Sequence, residues 1–233
     1  MIGIGDKTMI KDKTTILFDL DGTLIDSVPD LALAVNDMLK SLGKDGYDED
    51  TIRYWVGNGA PMLIKRALLG KVDVEDTKID EELFLKAQKI YMSAYHKYLS
   101  VATTTYPCVK ESLEILYYRG FKMAIVTNKP YEFVEPLLKG LEIDKYFDVI
   151  VGGDSCKSKK PHPAMLECAL KELKSSISQS IMVGDSKNDI LASNQLGMQS
   201  IAVTYGYNYN EDISTYNPTV TIDRFDKIIG VLL

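Results

Sequence analysis

The sequence predicts a doubly wound parallel α/β sheet with a helical insert after its first strand, and three observations predict it. Short runs of aliphatic and β-branched residues recur without polar alternation, as expected where both faces of a sheet are covered. Helical patterns separate these runs, and strand–helix alternation builds parallel sheets. The interval from Leu20 to Lys122 breaks that rhythm and carries helical spacing instead.

The first strand is Thr15–Leu20, after a leader (residues 1–13) whose apolar residues follow no period and which reads as loose. At the start of the insert, Ser27-x-x-Asp30 has the form of a capping box, and Pro29 suits a first helical turn. Leu31, Val35, Met38, Leu39 and Leu42 form one helical stripe, which Gly43 ends. Leu83, Phe84, Ala87, Ile90, Tyr91, Ala94, Tyr95 and Tyr98 repeat at the same spacing, through Ser100. Further strands are expected at Lys122–Thr127, Asp148–Gly152, Ile181–Gly184 and Ser200–Thr204, with a weaker one at Thr219–Ile222. Helices are expected around 109–119, 130–140, 163–173 and 188–196. The domains are therefore an α/β core of residues 1–25 and 101–233 and a helical cap of residues 26–100, with hinges at 26–27 and 100–105. An insert rooted there hangs over the carboxyl end of the first strand, where open α/β sheets bind ligands.

The 233 residues are 45% hydrophobic and 26% charged, enough for a core that needs no disulfide or metal staple. A net charge of −6 argues against nucleic acid as the main partner, since binding phosphate backbones needs a basic face. No apolar run approaches a membrane span or a signal peptide. Cys108, Cys156 and Cys168 are odd in number and without a C-x-x-C pair, so they read as reduced thiols of a cytoplasmic protein. A monomer or weak homodimer is expected.

Four strand-end segments carry chemistry. In Phe18-Asp19-Leu20-Asp21-Gly22-Thr23-Leu24, two carboxylates follow a buried strand, where they are costly without a cation or strong hydrogen bonds. The plainer reading is that Asp-Gly makes an ordinary turn and Asp19 merely ends the strand. The run Ile181–Gly184 ends in Asp185 and, four residues on, Asp189. Asp185 is placed to hold a hard cation through oxygen; Asp189 either orients that shell or, like Asn188, caps the following helix. Thr127 and Asn128 end a third run and offer a hydroxyl and an amide to phosphate oxygens without adding charge. Lys160, before Pro161-His162-Pro163, is a fixed point charge, with Lys159 as the alternative. A carboxylate attacking a phosphate ester brings two anions together, so cations and donors must surround them. In this reading Asp19 attacks phosphorus as a covalent nucleophile, and Asp21 serves as acid and then base. Mg²⁺ would be shared by Asp19, Asp185 and the phosphate.

The order and spacing of these four motifs resemble the haloacid dehalogenase superfamily over essentially the whole chain after the leader. The resemblance implies a Rossmann-like core with an inserted α-helical cap and a small phosphorylated metabolite as substrate. It assigns Asp19 as nucleophile and Asp21 as acid/base that also meets Mg²⁺ through its backbone carbonyl. Thr127 and Lys160 become phosphate ligands, and Asp185 a metal ligand with Asp189 in the same site. Gly22, which allows the tight turn of the first loop, and Asn128 are expected to join the substrate-binding residues. Within the superfamily, Trp55-Val56-Gly57-Asn58-Gly59-Ala60, the Arg66-Ala67-Leu68 that follows, and Thr204-Tyr205-Gly206-Tyr207-Asn208 look like the bacterial phosphoglycolate phosphatase family. Gly57, Asn58 and Gly59 would then present donors to a substrate carboxylate, with Arg66 or Lys65 adding charge. The plainer reading is a turn that opens a helix at Ala60-Pro61. A sugar phosphatase or β-phosphoglucomutase-like phosphotransferase would keep the same four motifs. A non-catalytic phosphometabolite-binding protein should have lost Asp19 or Asp185. Glycine pairs such as Gly57-x-Gly59 lack the rest of a dinucleotide fingerprint. His96, on the long cap helix, reads as a surface or packing residue.

Overall fold

Six short strands form the central sheet: β1 (Thr15–Phe18), β4 (Lys122–Val126), β5 (Val149–Val151), β6 (Ser180–Gly184), β7 (Gln199–Val203) and β8 (Val220–Ile222). The structure, a computed structural model, describes residues 10–233. The spatial order is β5-β4-β1-β6-β7-β8, and each neighbouring pair is parallel. In sequence rank that is 3-2-1-4-5-6, the doubly wound order whose direction reverses at the first strand.

Two covers explain why the strands lack polar alternation. Ile16, Phe18, Met123, Ile125, Ile181 and Val183 face one apolar cluster. It is completed by α5 (Val109–Tyr118), α6 (Tyr131–Gly140) and α9 (Lys227–Leu232). Leu17, Ala124, Val126 and Met182 face the other cluster, under α7 (Ala164–Leu173) and α8 (Lys187–Leu196). Successive residues of a strand point to opposite faces, so each apolar run serves both layers. The expected strands and helices of the core are all present, with ends shifted by a residue or two; α9 was not foreseen.

The insert holds α1 (Val28–Ser41), α2 (Glu49–Arg53), α3 (Ala60–Leu69) and α4 (Glu81–Tyr98). Leu31, Val35, Met38 and Leu39 of α1 meet Ala87, Tyr91, Ala94 and Tyr95 of α4 in a separate apolar cluster. Phe133 of α6 and Tyr207 join that cluster from the sheet side.

Three expectations are corrected. The chain leaves and re-enters the core through an antiparallel ribbon, β2 (Ile25–Asp26) with β3 (Thr104–Thr105), too short to show a strand period. The capping box at Ser27 and Asp30 does not form. Asp30 instead accepts from the N–H groups of Ala102 (2.8 Å) and Thr103 (2.9 Å) and from the Thr103 hydroxyl (2.6 Å), tying the return path to α1. Ser27 donates its hydroxyl to Asp21 at 2.5 Å. Of the expected loose leader, residues 1–9 lie outside the described residues. Ile10 is buried, and its N–H donates to the Val231 carbonyl, 2.9 Å away.

Candidate active site

Asp19 is the first residue beyond β1, and its N–H continues the ladder by donating to the Val183 carbonyl at 2.9 Å. The loop then turns at Gly22, whose φ is +91°, a region open to glycine. Space makes the same demand. A Cβ on Gly22 would stand 2.2 Å from Asp185 Oδ2, and one on Gly206 would stand 2.4 Å from the same oxygen. Asp185, the first residue after β6, is thus clasped between two glycine loops. Its Oδ1 accepts from the Thr23 hydroxyl at 2.8 Å and its Oδ2 from the Tyr207 N–H at 2.6 Å.

Lys160 is 3% exposed. Its ammonium donates to Asp189 Oδ1 (2.6 Å) and the Val126 carbonyl (2.6 Å), and lies 2.9 Å from Asp19 Oδ1. Lys159 Nζ instead lies near Gly59, 3.0 Å from where a Cβ would stand. Asp189 is fully buried, and its Oδ2 accepts from the N–H (3.1 Å) and hydroxyl (3.0 Å) of Ser186. The capping reading of Asp189 therefore holds at the start of α8, and Asp189 also fixes Lys160. Asp189 shares the acidic cluster with Asp19 and Asp185 while its oxygens serve Lys160 and Ser186.

Asp19, Asp185 and Asp189 bring carboxylate oxygens within 4.8 Å of one another. Burial raises the Asp19 carboxyl to about 7, even though Lys160 pulls it down. Burial also lifts Asp185 well above the usual carboxylate range, and Asp19 and Asp189 push it further. Burial disfavours the Lys160 cation, yet Asp189 and Asp19 hold it above its ordinary value. Three buried carboxylates against one ammonium leave excess negative charge among oxygen donors. That donor set fits a hard divalent cation.

Thr127 lies one residue past β4, and its hydroxyl oxygen accepts from the Lys129 N–H at 3.2 Å, leaving its proton for another acceptor. Asn128 was expected to offer its amide to phosphate. The structure uses it as a clamp: Nδ2 donates to the carbonyls of Gly57 (3.1 Å) and Lys160 (3.0 Å), while Oδ1 accepts from the Lys160 N–H (3.0 Å). Lys129, which the sequence did not single out, is 4% exposed and pairs with Asp21 at 3.0 and 3.2 Å.

Above these groups the cap supplies a roof. A cavity is floored by Asp19, Asp21, Thr127, Asn128 and Lys129 and roofed by Leu31, Val56, Gly57, Gly59, Ala60, Leu63, Tyr91 and Tyr95. Pro130 and Phe133 close one side. Asn58 turns away, its side chain accepting from the Tyr209 hydroxyl at 2.5 Å. Arg66 is also corrected: it donates to the carbonyls of Trp55 (2.6 Å) and Val72 (3.0 Å) and does not line the cavity. Its charge fixes the glycine-rich loop from behind. His96 sits outside, paired with Glu132 at 2.9 Å. No helix among the described residues is long and apolar enough to cross a membrane.

Residues 16–203 match the family model of haloacid dehalogenase-like hydrolases. The phosphoglycolate phosphatase of Colwellia psychrerythraea is 48% identical over 220 residues, 94% of this chain and 97% of that relative. That of Psychrobacter arcticus is 46% identical over 222 residues, 95% and 96% of the two chains. A crystal structure of a predicted phosphoglycolate phosphatase from Haemophilus somnus has a TM-score of 0.88 at 37% identity, covering 94% of this chain and 98% of that one.

Proposed function

This chain belongs to the haloacid dehalogenase-like hydrolases and is a phosphatase; from that premise we propose that it is magnesium-dependent, forms a phosphoryl-aspartate on Asp19, and converts 2-phosphoglycolate to glycolate and phosphate. The observation that carries the chemistry is the convergence of Asp185 and Lys160 on Asp19, which lines the cavity at the carboxyl end of the sheet. The substrate assignment leans on the relatives' activity and on the enclosure of the cavity by the cap.

In the first step an Asp19 carboxylate oxygen bonds to phosphorus as the P–O bond to the alcohol breaks. Asp21 gives the departing oxygen its proton. Lys160 offsets the charge of Asp19 and of the phosphoryl oxygens, and the Thr127 hydroxyl donates to one of them. Asp21 then takes a proton from water, whose oxygen bonds to phosphorus and releases Asp19. Asp19, Asp185 and the Asp21 backbone carbonyl would hold Mg²⁺, which supplies the positive charge that lets two anions meet. Asp189 acts through Lys160. In this reading residues 26–100 act as the cap, rooted on the β2–β3 ribbon, and its roof excludes bulk water.

Phosphate release from a panel holding 2-phosphoglycolate, hexose phosphates and nucleotides tests this, with Mg²⁺ and with chelator. Expected is a preference for 2-phosphoglycolate that chelation abolishes. Turnover directed at hexose phosphates would discard the substrate, and turnover indifferent to chelator would discard the metal.

A further inference from the structure

We propose that Lys129 and Tyr95 form the receptor for a negatively charged leaving group, so that the enzyme selects phosphate esters whose alcohol carries a carboxylate. This rests on the phosphatase reading above and deepens it.

Three cations are buried near the cavity: Arg66, Lys129 and Lys160. Arg66 is committed to two backbone carbonyls, and Lys160 to Val126, Asp189 and Asp19. Lys129 has a different balance. Among the described residues its one carboxylate partner is Asp21, and its ammonium lies 4.7 Å from the centroid of the Tyr95 ring. An ammonium carries three donors, so two Asp21 oxygens leave one uncommitted. With its side chain 3% exposed, water does little to serve that donor. Asp21 is also the group that the proposed chemistry directs to the leaving oxygen. The ammonium then needs a second anion, and a carboxylate on the alcohol supplies one.

The second observation is independent. Tyr95 is 1% exposed and lines the cavity, yet its hydroxyl has no hydrogen-bond partner among the described residues. A buried hydroxyl left unpaired is costly, and a ligand oxygen would relieve that cost. The ring is held in place, with Phe133 edge-on at 4.7 Å and Tyr91 stacked at 5.9 Å. The ammonium stands 4.7 Å from the centre of the ring that carries this hydroxyl, and both residues line the cavity, so one carboxylate can meet the charge and the hydroxyl together. Arg66, expected from sequence to add charge for this group, instead holds the roof from behind.

The test compares kcat/KM for 2-phosphoglycolate with that for ethyl phosphate, which lacks the carboxylate, in wild type, Lys129→Met and Tyr95→Phe, all with Mg²⁺. Expected is a wild-type preference for 2-phosphoglycolate that Lys129→Met reduces about tenfold or more, as loss of a charged hydrogen bond implies. Tyr95→Phe should reduce the preference several-fold through KM while its Tm stays the same or rises, because the deleted oxygen has no partner. If Lys129 only positions Asp21, both substrates slow alike and the ratio survives, which overturns the proposal. A ratio that survives Tyr95→Phe overturns it too, whether or not Lys129→Met folds. A wild type indifferent to the carboxylate contradicts the 2-phosphoglycolate reading itself, whereas a preference that outlasts both substitutions removes the receptor alone.

Discussion

Asp19 and Asp185 stand beside Asp189 with one ammonium between them, and this surplus of negative charge sets how the metal-free protein responds to pH. Burial raises both carboxyls, Asp19 to about 7. A raised folded-state value means the native protein holds protons that the unfolded chain releases near a pH of ~4. The stability these groups contribute is full below that point and declines as pH rises through the folded value. The Tm of metal-free protein should therefore fall between about pH 5 and about pH 8, and Mg²⁺ should raise it most at the upper end. Asp185→Asn should flatten the decline, and an equal slope in that variant would show that the crowding is not its cause. Asp19 and Asp185 were legible as carboxylates closing apolar runs. Lys129 was not, because nothing in Lys129-Pro130 separates it from a loop lysine; its burial comes from Tyr95 on a helix distant in sequence. Adjacent Lys159 and Lys160 were likewise indistinguishable until the backbone aimed one of them at Asp19.

Periodicity made the long elements plain: the core strands, α1, α4 and α5 to α8 follow the expected runs closely. It failed where elements are shorter than a period. The β2–β3 ribbon has two residues on each side, and α2 has five. The Ser27–Asp30 box misled for another reason. Its pattern is local, but Asp30 found three donors on Ala102 and Thr103, across the root of the cap. Asp30→Ala would strip the buried Thr103 N–H and hydroxyl and the half-buried Ala102 N–H of their acceptor, so it should cost about 3 kcal/mol of unfolding free energy. Urea denaturation measures this. A loss under about 0.5 kcal/mol, typical of surface substitutions, would mean the return path is held by other contacts. Asn128 and Arg66 show the same tendency: side chains read as substrate donors serve backbone carbonyls that no sequence pattern reveals.

The assembled molecule brings together segments from four parts of the chain. The doubly wound order puts β4, β1 and β6 side by side, so the residues that follow them (Thr127, Asp19 and Asp185) emerge at one edge. Asn128 ties that edge to the cap through Gly57 and to the lysine loop through Lys160. Tyr207 ties it to the cap root, with its N–H on Asp185 and its hydroxyl 2.5 Å from Asp26. The architecture was legible because strand–helix alternation and the long helical interval are whole-chain features. The cavity was not, because its roof depends on how α1, α3 and α4 pack over the sheet. The central claim is that this arrangement makes Asp19 a covalent phosphoryl acceptor. Acid quenching and peptide mass spectrometry after mixing Asp21→Asn with acetyl phosphate and Mg²⁺ examine it most directly. That leaving group needs no acid, while hydrolysis of the intermediate lacks its base. A phosphoryl group on the peptide holding Asp19, absent from Asp19→Asn and with chelator, is the expected finding; rapid turnover by an Asp19→Asn protein, or a phosphoryl group on another residue, would refute it.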